Sequence, residues 1–411
     1  MAMNFKICML LPFPRYGENM RVPPQVGICS YLTNFGHKVT WVIWADESCQ
    51  VNSFLFNGVY VHVTPEIQYC PISSLLGRII NRIPNAMKRI LCILKIINNG
   101  NYNLIFVRDN FFDGLIAAYI KRKYKISFVF ALSNPLEQER EWCKIENKRP
   151  MALYYLKTRL NEFIVTCLLH EADLIMPISK WLKASLVEQG IPESKIMPLS
   201  EGVDLKLFCD EVNSNTCKKY KFYNYKIIIY VGTLGKARCL DVLIQAFSKV
   251  RETREDVKLL IVGGGNNEMK LKKLAEELRI REDVTFTGQI PQSEIPDIIA
   301  AADIGISSVP PLSFYILSSP IKMFEYMAMA KPVIANKEIP EHRDVLEQSG
   351  GGILVQFTPE AIADAIIGLL DNPDEAAEMG QKGQDWVMKN RSYELMARQV
   401  ENRLLHLLNH S

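Results

Sequence analysis

Short apolar runs and amphipathic stretches alternate along almost the whole chain. "FKICMLL" (5–11), "KVTWVIW" (38–44), "NLIFVR" (103–108), "ISFVFAL" (126–132) and "DLIMPI" (173–178) are too short for core helices and largely lack alternating polar positions. Each predicts a strand buried on both faces, as parallel sheets require. Helical patterns lie between them, at 111–123 and along 137–170. The alternation pauses over "LSEGVDLKLFCDEVNSNTCKKYKFYNY" (199–225), which is polar, irregular and rich in Asn, Lys and Tyr, the composition of a linker. It then restarts with "KIIIYVG" (226–232), "VKLLIVGGG" (257–265), "DVTFTG" (283–288), "DIGISSV" (303–309), "KPVIAN" (331–336) and "GILVQF" (352–357). Helical patterns at 239–252, 267–279, 293–302, 320–329, 359–371 and 374–390 separate these, and a last one, 393–408, has no strand after it. Strand–helix alternation of this kind predicts two Rossmann-like α/β domains with parallel sheets. The boundaries read as 1–200, a linker at 201–225, 226–390, and a C-terminal helix within 391–411. In such folds ligands gather at the carboxyl ends of the strands, so the expected site is the cleft across which the two sheets face.

Length agrees with two domains, since 411 residues outrun a single core. With 48% hydrophobic and 23% charged residues the composition is that of a soluble globular protein, and no uncharged apolar run reaches the roughly 18 residues of a spanning helix. "MAMNFKICMLLPFP" reads as a first strand rather than a signal peptide. The 10 Cys show no paired spacing, which points to reduced thiols in a cytoplasm and away from zinc or a disulfide framework.

Charge adds an asymmetry that the net +3 conceals: residues 1–200 carry +8 and residues 201–411 carry −5. Within 78–125 ten Lys and Arg face only Asp109 and Asp113. "GRIINRIPNAMKRILCILKIINNG" (77–100) sets Arg78, Arg82, Lys88, Arg89 and Lys95 among Ile and Leu. A basic amphipathic stretch suits peripheral contact of 78–95 with the anionic inner face of a membrane; basic side chains reaching outward from a core helix fit as well. Pro84 limits the segment to two short helices. Nucleic acid is not the expected partner.

Candidate chemistry starts with Gly-containing turns, "PFPRYGENMR" (12–21), "YVGTLGKARCLD" (230–241) and "VGGGNNE" (262–268). Glycine lets backbone N–H groups approach phosphates, although strand-to-helix turns need glycine anyway. More specific is "SSPIKMFEYMAMAKPVIAN" (318–336). Ser319 and Pro320 suit the N-cap and first helical positions, with Ile321, Phe324 and Ala328 on the core face. Lys322 and Glu325 share another face, either as an exposed ion pair or as ligands for a diphosphate and a ribose diol.

In the second half these motifs, from "EGVDLKLF" through "YVGTLGKARCLDVLIQAFSKV", "LLIVGGG", "VTFTGQIPQSEIPDIIAAADIGISSVP" and "SPIKMFEYMAMAKPVIAN" to "GGILVQFTPEAIADAIIGLLDNPDEAAEMGQKGQDWV", resemble glycosyltransferase family 4, retaining enzymes of GT-B architecture. In the first half the resemblance rests on the Gly17 loop and "LTNFGHKVTWV" (32–42). It implies a donor site built from Gly17, Gly232, Thr233, Arg238, Gly263, Ile290, Ser319, Lys322 and Glu325, in which Arg238 holds the diphosphate and Glu325 the ribose. It also implies that the C-terminal helix crosses back to the first domain. Three positions depart from the family. Leu317 stands where a first Glu is usual, Gly232-Thr233 replaces a glycine-arginine, and "FALSNPLEQER" (130–140) offers Ser133 and Asn134 in place of a His. Asp109 and Asn134 are the acceptor-side candidates.

There is no Asp-x-Asp in the chain, so the resemblance points to metal-independent, retaining transfer with no cofactor beyond the nucleotide-diphosphate sugar. Arg238 and Lys322 would stabilise the leaving phosphate. The expected activity is transfer of a sugar to a glycan or lipid-linked acceptor. A nucleotide-sugar epimerase or hydrolase, or a binding partner without catalysis, are the alternatives.

Overall fold

The computed structural model describes residues 4–12, 22–45, 51–65, 75–135, 141, 145, 152–208 and 224–410. They divide into two compact units. One comprises Met1–Leu136, Leu156–Ser200 and Met396–Ser411, the other Glu137–Tyr155 and Glu201–Leu395.

The first unit holds seven strands: β1 (Lys6–Leu10), β2 (Lys38–Ala45), β3 (Ser53–Phe56), β4 (Val59–Pro65), β5 (Leu104–Arg108), β6 (Ser127–Leu132) and β7 (Leu174–Pro177). Their order is β3-β4-β2-β1-β5-β6-β7, and only the β3–β4 pair is antiparallel. That hairpin was not expected, yet its signal is local. Asn57 and Gly58 take positive φ (46° and 81°), as a two-residue primed turn demands of both central positions. Strand order turns about β1, which is flanked by β2 and β5 in parallel register, with Ile7 opposite Val39 and Leu104.

Helices α1 (Pro24–Ser30), α2 (Leu75–Gly100), α3 (Phe111–Tyr124) and α4 (Ala152–Glu171) connect these strands, and α5 (Lys180–Glu188) follows β7. The Asn110 side chain caps α3 by accepting from the N–H groups of Phe112 and Asp113. Two expectations for 77–100 are corrected here. The segment is one continuous helix through Pro84, not two. An interior proline costs about 3 kcal/mol, and the buried inner face that follows, Asn85, Arg89, Ile93, Ile96 and Ile97, offsets that cost. Arg89 is not a surface cation: it is fully buried, its Nε and Nη2 each 2.7 Å from one oxygen of the equally buried Asp113 on α3. Trp44 lies beneath the guanidinium, 4.5 Å from its ring centroid.

In the second unit β8 (Lys226–Val231), β9 (Val257–Val262), β10 (Val284–Phe286), β11 (Ile304–Ser307), β12 (Val333–Asn336) and β13 (Gly352–Val355) form a wholly parallel sheet, ordered β10-β9-β8-β11-β12-β13. Between and after the strands lie α6 (Asp241–Thr253), α7 (Glu268–Glu277), α8 (Ile295–Ala300), α9 (Ser313–Ile316), α10 (Ile321–Ala328), α11 (Pro340–Ser349), α12 (Pro359–Asp371) and α13 (Pro373–Asn390); the last helix, α14 (Tyr393–Asn409), belongs to the first unit from Met396 onward. The two-residue period of β8 feeds two cores. Ile228 and Tyr230 enter one with Phe247 and Ile261; Ile227, Ile229 and Val231 enter the other with Phe324 and Met327. Val203 and Phe208, within the stretch expected as a linker, belong to the second core, while 209–223 lie outside the described residues. Among the described residues no helix is long and apolar enough to cross a membrane.

Candidate functional site

Strand order in the second unit turns around β8, whose neighbours are β9 and β11, and the crevice beyond the carboxyl ends at such a turning point is where open α/β sheets bind ligands. Three loops there are bound to one another through their backbones. Gly232 N–H donates to the Val262 carbonyl (2.9 Å), Leu234 N–H to Gly264 (3.0 Å) and Gly263 N–H to Gly288 (3.0 Å). At Gly263 φ is +134°, and a Cβ would collide with the Gly232 carbonyl oxygen, so no other residue fits.

Arg238 ends a short 3₁₀ turn, Lys236–Arg238, in the first of these loops. Its Nε donates to Thr233 Oγ1 at 3.3 Å, and its guanidinium lies 4.6 Å from the ring centroid of Tyr315, on α9 after β11. Arg238 thus spans the loops after β8 and β11, the two strands at the turning point. Among the described residues no carboxylate pairs with it, which leaves its donors available to an anion. Tyr315 was missed by sequence reasoning, because nothing in "PPLSFYIL" marks which aromatic residue turns back to a loop eighty residues away.

Helix α10 begins at Ile321 with Pro320 as its cap and no side-chain cap bond. Ser319 is therefore not the N-cap expected of it. The physical reason is a stronger competitor for its hydroxyl: it donates to Glu341 Oε1 (3.3 Å) and accepts from Glu201 N–H (3.1 Å), while Arg391 holds the same Glu341 oxygen at 2.7 Å. The helix is buried from Met323 to Ala328, with Ile321 half-buried. Glu325 is only 3% exposed, with its Oε2 2.6 Å from Lys322 Nζ. An exposed pair is thereby excluded: one partner is interior, the other half-buried. Neighbouring Tyr326 is fully buried, and its hydroxyl accepts from the Val231 N–H at 2.8 Å, which seats α10 directly under the end of β8. Burial pushes that phenol well above its usual range. Gly305 on β11 makes room for its ring. Tyr326 thus ties α10, the helix that carries Lys322 and Glu325, to the end of the strand that leads into Gly232 and Thr233. Ile290, half-buried in the loop after β10, packs on the second core. Gly17 lies outside the described residues.

Deeper in the unit, His342 is fully buried between Ser307 Oγ, 2.9 Å from Nε2, and the Asn336 carbonyl, 3.0 Å from Nδ1. A carbonyl only accepts, so Nδ1 carries the proton, and burial pushes the imidazole down to about 4.

In the first unit the acceptor-side candidates sit where β5 and β6 end. Asp109, at φ +52°, accepts from the Ser133 N–H at 2.7 Å and from the Ser133 hydroxyl, with Arg108 Nη1 3.2 Å away. Its carboxylate ties the two strand ends together. Asn134 is exposed beside Ser133, its Nδ2 3.4 Å from that hydroxyl. Among the described residues no cluster of His, Cys, Asp or Glu has the form of a metal site.

Residues 26–207 match the family model described as Glycosyltransferase Family 4, and residues 214–386 the one described as Glycosyl transferases group 1. A GDP-mannose-dependent alpha-(1-6)-phosphatidylinositol monomannoside mannosyltransferase of Mycolicibacterium smegmatis is 26% identical over 227 residues, 54% of this chain and 59% of that protein. An N-acetyl-alpha-D-glucosaminyl L-malate synthase of Bacillus anthracis is 24% identical over 237 residues, 57% of this chain and 59% of that protein. The chain thus spans less than two thirds of the length of these relatives. Sucrose-phosphate synthase of Thermosynechococcus elongatus superposes with a TM-score of 0.77 at 17% identity, over 99% of this chain and 100% of that one. The Anabaena HepE protein in complex with UDP and glucose gives 0.71 at 16% identity, over 98% and 99%. At such identities the likeness speaks for the fold alone.

Proposed function

The chain belongs to the family 4 glycosyltransferases with two parallel-sheet α/β domains of GT-B class, and from that premise we propose that it moves a sugar from a nucleotide-diphosphate donor to a glycan or lipid-linked acceptor. The observation that carries this reading is Arg238. It is a guanidinium stacked on Tyr315, without a carboxylate partner among the described residues, beside glycine loops whose backbones approach closely. A diphosphate offers the paired oxygens that a planar guanidinium fork recognises. Glu325, one turn into α10, supplies a buried acceptor for the ribose hydroxyls, with Lys322 beside it balancing the charge. The GDP-mannose dependence of one relative and the UDP bound to one structural neighbour support a nucleotide-sugar donor.

The chemistry follows from charge. As the bond between anomeric carbon and phosphate breaks, negative charge grows on the phosphate, and Arg238 and Lys322 stabilise it. The departing phosphate oxygen takes the acceptor's proton on the same face, so configuration is retained without a protein nucleophile. No divalent ion is required in this scheme. The experiment is turnover of a labelled nucleotide sugar with and without EDTA, with and without lipid acceptors. Transfer that survives EDTA supports the reading. Free sugar as sole product indicates a hydrolase, an altered nucleotide sugar an epimerase, and binding without turnover a partner that has lost catalysis.

A further inference from the structure

Helices α2, α3 and α4 follow β4, β5 and β6, and each crossover leads the same way across the sheet, so right-handed connections place all three on one face. Two contacts make them one layer. The Arg89–Asp113 pair joins α2 to α3. Gly114 lets α3 approach α4, since a Cβ there would lie 2.5 Å from Leu168 Cδ1. The outer surface of this layer is apolar. On α2, Ile83, Met87 and Leu91 are 62%, 52% and 62% exposed at a spacing of four; on α3, Phe111, Leu115 and Tyr119 repeat that spacing; on α4, Leu160 and Phe163 are 55% and 66% exposed. A spacing of four keeps each stripe on one side of its helix, and these stripes point away from the core that Ile93, Ile116 and Leu168 occupy. Together with Tyr155 and Leu156, the three helices hold most of the large apolar side chains exposed among the described residues.

The charge of the same layer identifies what covers it. The helices carry ten Lys and Arg against three Asp and Glu, +7 on a chain whose net charge is +3. One of the acids, Asp113, is spent internally on Arg89, and another, Glu171, on Arg122. A second copy of the chain meeting this face through a two-fold axis would set +7 against +7. An anionic bilayer instead takes the apolar stripes into its interfacial zone and the basic groups among its headgroups. We propose that the outer face of α2–α3–α4 docks on an anionic phospholipid surface, through Ile83, Met87, Leu91, Leu115 and Phe163, with Lys88, Lys95 and Lys123 among the headgroups. This face is wider than the basic segment 78–95 and excludes Arg89, whose buried charge is unavailable.

The test is cosedimentation of the full chain with vesicles of phosphatidylglycerol and phosphatidylcholine in equal parts, against pure phosphatidylcholine. The wild type pellets with the mixed vesicles alone. Lys88→Glu, Lys95→Glu and Lys123→Glu each weaken partitioning, by about fivefold or more, with the difference shrinking as salt rises. A Leu91→Ser, Leu115→Ser, Phe163→Ser variant loses tenfold or more at every salt concentration. All of these positions are exposed except half-buried Lys88, and none lies in the core, so circular dichroism and nucleotide affinity stay at wild-type values, which separates loss of docking from failure of the donor site. Equal partitioning of wild type and triple variant overturns the proposal. So does a wild type that ignores the vesicles but sediments as a dimer which the triple variant dissociates, since the face would then be self-covered.

Discussion

Replacing Arg238 with Ala tests the donor site most directly, because the structure separates what the side chain does for folding from what it does for a ligand. Its internal contacts are one hydrogen bond at 3.3 Å to exposed Thr233 and one stacking contact at 4.6 Å with Tyr315. Stacking of a partly exposed guanidinium is worth about 0.5–1 kcal/mol, and the long hydrogen bond adds less than about 1 kcal/mol. Stability should therefore fall by no more than about 2 kcal/mol. A single charge-assisted hydrogen bond to a diphosphate is worth about 1.5–3 kcal/mol, which is roughly ten- to hundredfold in affinity. If the charge matters most as phosphate leaves, single-turnover rate falls further than affinity. Tyr315→Ala removes only the stack and should cost about two- to fivefold, acting through the arginine. In the double variant the tyrosine effect should vanish, a coupling of about 0.5–1 kcal/mol. The assays are isothermal titration with UDP and with GDP, and single-turnover transfer on all four proteins. Wild-type affinity and rate for Arg238→Ala would refute the reasoning, and fully additive losses would show that Tyr315 does not work by holding Arg238.

Glu325→Ala should weaken nucleotide binding by roughly ten- to hundredfold while the protein stays folded, because Lys322 retains 30% side-chain exposure and can turn to water; urea unfolding and titration calorimetry together check this. Asp113→Ala leaves Arg89 fully buried without a counter-ion, which should cost about 3–5 kcal/mol in the first unit, read by urea denaturation with the neighbouring Trp44 as fluorophore. Replacing both partners with Leu and Met should recover most of that loss. His342 has a folded value of about 4 against 6.5 for the free side chain, so between those pH values the unfolded chain binds a proton that the folded one refuses. Its stabilisation is complete above pH 6.5 and is lost as pH falls toward 4, by about 2 kcal/mol between pH 6.5 and 5; His342→Gln should flatten that slope in pH-dependent melts, and an unchanged slope would remove His342 as its source.

Much of the fold was legible because buried parallel strands are written as continuous apolar runs: "KIIIYVG" and "ISFVFAL" each contain the strand found there, shortened by a residue at an end. What escaped depends on partners distant in sequence. Arg89 looks like any surface arginine until Asp113, on the next helix, is seen to meet it. The same buried face carries α2 through Pro84, which local chemistry alone would not allow. Ser319 has the right type for a cap, but Glu341, twenty-two residues on, competes for its hydroxyl. The Asn57-Gly58 hairpin was legible and overlooked, because β3 is only four residues long and β4 alternates buried Val with polar or exposed positions where the other strands run continuously apolar. In the proposed site, Lys322 and Glu325 could be picked out from residue type and spacing, and Arg238 from the family resemblance. Tyr315 and Tyr326 could not, since their roles arise only when strand ends are brought side by side.

The backbone bonds that join the loops after β8, β9 and β10 make them a single part rather than three. Lengthening any one of them would pull the other two out of register, and Gly263 admits no side chain at the junction. Inherited variety in what the molecule accepts therefore has little room there. The connection 308–320 is fastened too, Tyr315 against Arg238 and Ser319 to Glu341 and Glu201, so what room it has for substitution is at exposed positions such as Pro311 and Ser313. For anyone recombining such proteins, strands β8 to β10 are a cassette to be moved whole, together with the 308–320 segment whose Tyr315 stacks on Arg238.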